Sequence, residues 1–291
     1  MRHLSGTAFT GGNSINLLVN GKSTFAAIFD AIDRARDYVL VEFFIINNDE
    51  LGQELKRRLI NCQRSGVRVY LLYDSIGSYG LPAGYRQELI ANGVKVRAFG
   101  SPGRFKNRFQ LNFRNHRKIV VADGVVGFAG GHNVGDEYLG LSKRFGFWRD
   151  THVKLSGPAV LDLQRAFLES WCYVTGEDLE LNWLSRPRDG DTSVLVVPSG
   201  PADELETCSL FFVHMLNLAV QRAWITSPYF VPNEAVLDAL KMAALRGLDV
   251  RLIIPQNPDK KTVWYAAFSY MKEAQAAGVK FYRYQKGFLH Q

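Results

Sequence analysis

From Ser23 to Tyr38 the apolar residues Phe25, Ile28, Phe29, Ile32 and Ala35 recur at three- and four-residue steps, the signature of an amphipathic helix. The pattern then changes. Tyr38 to Ile46 is a run of β-branched and aromatic residues interrupted by Glu42, which predicts a strand. Glu50 to Ser65 returns to helical spacing and stops at Gly66, a suitable C-terminal cap. Val67 to Tyr73 then reads as a buried strand, Pro82 to Asn92 as a helix stopped by Gly93, and Val94 to Phe99 as another strand. This alternation predicts an α/β fold, a largely parallel sheet with helices on its faces.

The plan recurs in the second half. SGVRVYLLYD at 65–74 corresponds to RGLDVRLIIPQ at 246–256, with Gly66 matching Gly247. ELIANGVKVRAF at 88–99 corresponds to EAQAAGVKFYRY at 273–284, with Gly93 matching Gly278. The strand VLVEFFI at 39–45 likewise corresponds to WITSPYFV at 224–231. Convergent α/β patterning would copy the hydrophobic period but not this wording, so a duplication is expected. Its joint falls in the polar stretch Ser185–Thr192, with Pro187 and Gly190, giving repeats at 1–187 and 188–291. The second copy begins near Ser193, and the counterpart of everything after Arg117 is missing before Gln291. The chain is therefore expected to stop inside its second repeat, and to be self-associating and nearly inactive by itself.

Between the matched segments lies HRKIVVADGVVGFAGGHN, His116 to Asn133. Ile119–Ala122 and Val125–Ala129 are β-formers flanking Asp123-Gly124, a two-residue hairpin signal. Pairing Ala122 with Val125 sets Lys118 opposite Ala129 and His116 opposite Gly131. His116 and Lys118 are two apart and share a face of their strand. Facing them are Ala129, Gly130 and Gly131, with almost no side chain, and Asn133 follows with an amide. An imidazole and an ammonium above cleared backbone suit a phosphate group: Lys118 for charge, Asn133 and the Gly131 backbone for oxygens, His116 for covalent or proton-transfer chemistry.

Composition sharpens this reading. The chain has 291 residues, 47% of them apolar, and a formal charge of +7 that favours a polyanionic partner. Between Glu88 and Asp123 there is no acidic residue, only Lys95, Arg97, Arg104, Lys106, Arg108, Arg114, Arg117 and Lys118 among the charged ones. No apolar run approaches the length of a membrane span, and Met1–Asn13 carries no signal-peptide core. Cys62, Cys172 and Cys208 stand far apart, as expected of ordinary thiols in a reducing compartment.

HxKxxxxD followed by GGxN, inside a duplicated α/β chain, resembles the signature of the phospholipase D superfamily. LVEFFI, SPYFVP and GFLHQ resemble its bacterial cardiolipin synthase branch. The resemblance implies two pseudo-twofold-related repeats, each a mixed, mostly parallel sheet flanked by helices, the second incomplete. The active site would lie at their junction. His116, Lys118 and Asp123 match the first motif, Asn133 its asparagine, and His290 the histidine of the second. Asp123, in the turn itself, is expected to fix the hairpin rather than touch substrate. The implied chemistry is phosphatidyl transfer through a phosphohistidine: one histidine attacks phosphorus, the other protonates the departing alcohol, and a second alcohol displaces the first histidine. No cofactor and no metal is implied, and no His/Asp/Glu cluster at metal spacing is present.

Trp148, Asp150 and His152 alternate on a strand and share a face. Asp150 is the candidate to orient a reactive histidine, with a plain strand-edge carboxylate as the alternative. His152 reads as a packed histidine, His132 as pointing away from the site, and His3 and His214 carry no signal. Asp136 and Glu137 fit a turn. Phe105, Phe109 and Phe113 among basic residues form either a basic amphipathic helix suited to an anionic membrane or one apolar strand face. The expected partners are an anionic phospholipid and a membrane surface, the cytoplasmic face of a bacterial inner membrane. The competing readings are a phosphodiesterase or nuclease of the same superfamily, with nucleic acid as the less favoured partner, and an inactive anion-binding fragment.

Overall fold

The computed structural model describes residues 6–100, 114–184, 190–200 and 203–291. Strand β1 (Thr10–Val19) leads into α1 (Asn20–Arg34), β2 (Tyr38–Phe43), α2 (Glu50–Arg64), β3 (Arg68–Asp74), α3 (Ala83–Ala91) and β4 (Lys95–Phe99). The hairpin of β5 (Ile119–Ala122) and β6 (Val126–Gly130) follows, then β7 (Trp148–Arg149), β8 (Thr151–Ser156), α4 (Val160–Thr175) and β9 (Thr192–Val194). The C-terminal part holds α5 (Thr207–Leu218), β10 (Arg222–Thr226), α6 (Glu234–Leu245), β11 (Asp249–Pro255), α7 (Lys261–Ala276), β12 (Lys280–Tyr284) and β13 (Phe288–Leu289).

Eight strands make one mixed sheet in the order β4-β3-β2-β5-β6-β8-β1-β9. It is parallel across β2, β3 and β4, where crossover helices join the strands, and antiparallel from β5 onward, where a hairpin does. Both faces are covered. Val39, Val41 and Phe43 of β2 pack under α1 and α2, whereas Tyr38 and Leu40 join Phe167 and Trp171 of α4 on the other face. Glu42 continues the α4-facing series and is 1% exposed. In the C-terminal part β10, β11 and β12 form a parallel three-stranded sheet, with Leu237, Leu240, Val250, Leu252 and Met271 in its core. The remaining pair is β7 with β13, parallel, Trp148 beside Phe288 and Leu289 beside Arg149. That pair joins the two parts of the molecule.

Three expectations are corrected. The first helix was expected to reach Tyr38, but it ends at Arg34: the amides of Arg36, Asp37 and Tyr38 donate to the Asp123 carboxylate at 2.9, 2.9 and 3.0 Å. The hairpin register is shifted by one, with Ala122 opposite Val126 and Ile119 opposite Ala129. Asp123 and Gly124 both take positive φ, 56° and 66°, and the turn closes from the Val125 amide to the Ala122 carbonyl, so Val125 drops out of the ladder. Strand β1 was not foreseen, because its exposed Leu17 and Val19 break the alternation that would announce it. The segment with Phe105, Phe109 and Phe113, and residues 185–189 of the expected joint Ser185–Thr192, lie outside the described residues. Strand β9, which begins at the last residue of that joint, pairs with β1 at the edge of the eight-stranded sheet. Among the described residues, no helix is long and apolar enough to cross a membrane, and no group of three metal-binding side chains is present.

Candidate active site

His116 and Lys118 run off the N-terminal end of β5 and project together, as their spacing requires. The Lys118 Nζ donates to the His116 carbonyl at 2.6 Å and lies 3.0 Å from His116 Nδ1. Phe44, just past β2, floors the pair, its ring 4.6 Å from the His116 ring and 5.4 Å from Nζ. Lys118 is 5% exposed, and burial pushes its ammonium down to about 7 against the pull of the Asp150 and Glu42 carboxylates. His116 keeps an exposed edge. Even so, the protein around it, then the Lys118 ammonium, His290 and Lys260, hold its imidazolium down to about 3.

The second imidazole arrives with β13. The Phe288 amide donates to the Phe147 carbonyl at 2.8 Å and the His290 amide to the Arg149 carbonyl at 2.9 Å. Phe145, Trp148 and Phe288 pack with ring centres 4.8–5.5 Å apart. Gly287 makes this fit, with φ at +86° and a Cβ that would stand 2.0 Å from the Phe147 carbonyl oxygen. His290 Nδ1 then lies 2.8 Å from Asp150 Oδ2. A carboxylate can only accept, so Nδ1 carries a proton and Nε2 is the nitrogen left to face a substrate. Asp150 is fully buried and its other oxygen accepts from the Thr151 amide at 2.7 Å.

The sequence-derived candidates therefore divide. His116, Lys118, His290 and Asp150 come together. Asp123 sits at the far end of β5, bound to the start of β2 and away from these four. Gly131 does not clear room for a phosphate as expected: a Cβ there would meet Asp150 Oδ1 at 2.1 Å, and one on Gly130 would meet His152 Nδ1 at 2.5 Å. The glycines admit the Asp150 and His152 side chains. Asn133, expected to hold phosphate oxygens, is buried and engaged, accepting from the Ile45 amide at 3.0 Å and donating to the Tyr138 hydroxyl at 3.2 Å. His132 and His152 form a buried pair, 3.2 Å between Nδ1 atoms, and burial holds them down to about 4 and about 3. Neither reaches the open side of the site.

Sequence reasoning missed Glu42, Asn115 and Lys260. Burial raises the Glu42 carboxyl to about 7, tempered by the Arg117 guanidinium and by Ser170 and Asn115. The only signal of Glu42 was a lone carboxylate inside a buried strand. Lys260, at the start of α7, carried none. A cleft of about 440 Å³ opens beside His116, walled in part by Phe99, Arg117, Ser170 and Tyr173.

The pattern of the family described as "Cardiolipin synthase, PLD-like domain" matches residues 28–149 and 212–291. A "Cardiolipin synthase A" of Pseudomonas putida is 52% identical over 279 residues, 96% of this chain and 58% of the relative. One from Pseudomonas aeruginosa (strain LESB58) is 53% identical over 280 residues, 96% of this chain and 57% of the relative. The chain belongs to the phospholipase D-like cardiolipin synthase family. It spans somewhat less than three-fifths of the length of these curated relatives. Among solved structures, the phosphatidylserine synthase of Haemophilus influenzae Rd KW20 superimposes with a TM-score of 0.65 at 13% identity. It covers 99% of this chain and 77% of its own, which shows a shared fold.

Proposed function

We propose that the chain carries the phosphoryl-transfer centre of a cardiolipin synthase, moving a phosphatidyl group from one phosphatidylglycerol-type lipid to the alcohol of another. The observation that carries this reading is the β7–β13 pair, which sets an Asp150-bound His290 beside the His116–Lys118 pair. His116, whose imidazolium the fold holds down to about 3, is the nucleophile. With Lys118 near the point of losing its own proton, its amine accepts Nδ1–H of His116 and leaves Nε2 free to attack. The Nε2–P bond forms as the P–O bond to the departing glycerol breaks, and His290 acts as the imidazolium, its Nδ1–H held by Asp150 while its Nε2 proton passes to that oxygen. His290 then takes the proton of the incoming alcohol, whose oxygen bonds to phosphorus and releases His116. Two phosphatidylglycerols become one cardiolipin and one glycerol. Once Lys118 has taken the Nδ1 proton of His116 it is a cation beside the phosphoryl oxygens, with Lys260 as the second.

A bilayer lipid as substrate and a net charge of +7 together support a site at an anionic membrane surface, for which we propose the cytoplasmic face of a bacterial inner membrane. The test is conversion of phosphatidylglycerol vesicles to cardiolipin plus glycerol. It is run with the chain alone and with the chain set into its full-length Pseudomonas putida relative in place of the matching segment. Cardiolipin from either form, lost in His116→Ala and His290→Ala, is the expected result. No cardiolipin from either, or release of phosphatidic acid with no acceptor used, overturns the reading.

A further inference from the structure

Asn115 precedes His116 and is 8% exposed, and three of its polar groups make four hydrogen bonds, to three separate elements and to its own chain. Its amide donates to Asp74 Oδ2 at the end of β3, 3.2 Å away. Its side-chain Nδ2 donates to Glu42 Oε1 on β2 and, at 3.0 Å, to the Ser170 hydroxyl on α4. Its Oδ1 accepts from the Arg117 amide at 3.1 Å, closing the backbone around His116. The partners are fixed in turn. Asp74 Oδ1 accepts the amides of Ile76 and Gly77 at 2.9 Å, and Ser170 also meets Arg117 Nη1 at 3.2 Å. Arg117 reaches the Ala166 carbonyl at 2.7 Å and Glu169 at 3.5 Å. Glu42, Asp74 and Ser170 are at most 6% exposed.

The His116 ring is met at Nδ1 by Lys118 and on its face by Phe44 but keeps an exposed edge, whereas His290 is held by the fully buried Asp150. An open-edged imidazole needs its backbone fixed if Nε2 is to meet phosphorus along one line, since a displacement of about 1 Å costs on the order of 10²-fold in rate. We propose that Asn115 is a positioning residue for His116, transmitting the rigidity of β2, β3 and α4 to the reactive imidazole through the buried Glu42–Asn115–Ser170 cluster. This rests on the functional reading above, because it matters only if His116 reacts.

The test uses Asn115→Ala and Ser170→Ala, each checked for retained circular dichroism. His116 is followed by peptide mapping after diethyl pyrocarbonate, which modifies the unprotonated imidazole, across pH 4 to 8. In the wild type its rate should stay flat down to about pH 4, since His116 is held to about 3. In Asn115→Ala the midpoint should rise towards the ordinary ~6.5 as the loosened ring reaches water. Ser170→Ala, which removes only one partner, should move it less. Where transfer is measurable, kcat should fall about 10- to 100-fold in Asn115→Ala with KM nearly unchanged. A folded Asn115→Ala with wild-type His116 titration overturns the proposal. If Asn115→Ala does not fold, an unchanged titration in Ser170→Ala does so. Loss of lipid transfer in the wild type would instead count against the function, and the labelling arm would still decide the positioning.

Discussion

At the scale of single residues, the fold displaces the ionisation of several groups in and around the site. His116 and His152 are held to about 3 and His132 to about 4, so in the folded protein all three stay neutral where unfolded histidines, near 6.5, take up protons. Between about pH 6.5 and 4 the unfolded chain binds more protons through these groups, so stability falls as pH falls. Glu42, raised to about 7, works the other way between its ordinary 4.5 and 7, one group against three. Each displaced histidine contributes up to about 1.4 kcal/mol per pH unit, less for the partly open His116. Urea unfolding at pH 7.0 and 5.0 should show a clear loss at the lower pH. Equal stabilities would contradict the buried neutral pair. At this scale HxK was legible because a two-residue spacing fixes a shared face. The glycines were misread because their occupants, Asp150 and His152, come from a strand that the hairpin pattern does not mention. Glu42 was visible only as a flaw in an apolar run, and its meaning depends on α4 and on Asn115.

At the scale of elements, β2, β3, β4 and their helices were readable from periodicity, since buried parallel strands are near-continuous apolar runs bounded by Gly caps. β1 was not, and neither was the one-residue register shift, which depends on Asp123 holding the start of β2. The short β7–β13 pair carries the most chemistry for its length. Gly287→Ala should put a methyl into the Phe147 carbonyl and force β13 away from β7, parting His290 from Asp150. The expected result is a loss of turnover of about 10²-fold or more, with bulk stability lowered by only ~1–3 kcal/mol. Cardiolipin synthesis and urea melts measured side by side are the check. Undiminished synthesis in a folded Gly287→Ala would show that His290 does not need this strand.

At the scale of the molecule, the two parallel three-strand units, β2–β3–β4 and β10–β11–β12, correspond to the wording shared between the halves of the sequence. The matching Gly66 and Gly247 both stand at positive φ, 87° and 90°, as do Gly93 and Gly278, 87° and 103°. Repeats announce themselves this way because a capping glycine is dictated by the backbone alone. The net charge also belongs to this scale. With +7 overall, binding to phosphatidylglycerol vesicles should weaken steeply between about 0.05 and 0.5 M salt, as the Debye length shrinks. Vesicle sedimentation reads this directly, and equal binding to neutral vesicles would remove the electrostatic part of the account.

The most direct test of the central claim is to look for the bond that the two-histidine site is built to make. The protein, turning over phosphatidylglycerol vesicles, is quenched in alkaline denaturant and its peptides are weighed. The account predicts a phosphatidyl adduct on the peptide containing His116, absent from His116→Ala, with cardiolipin synthesis lost in parallel by on the order of 10²–10⁴-fold or more. Cardiolipin accumulating with no adduct on any histidine, or undiminished synthesis by a folded His116→Ala, would contradict it.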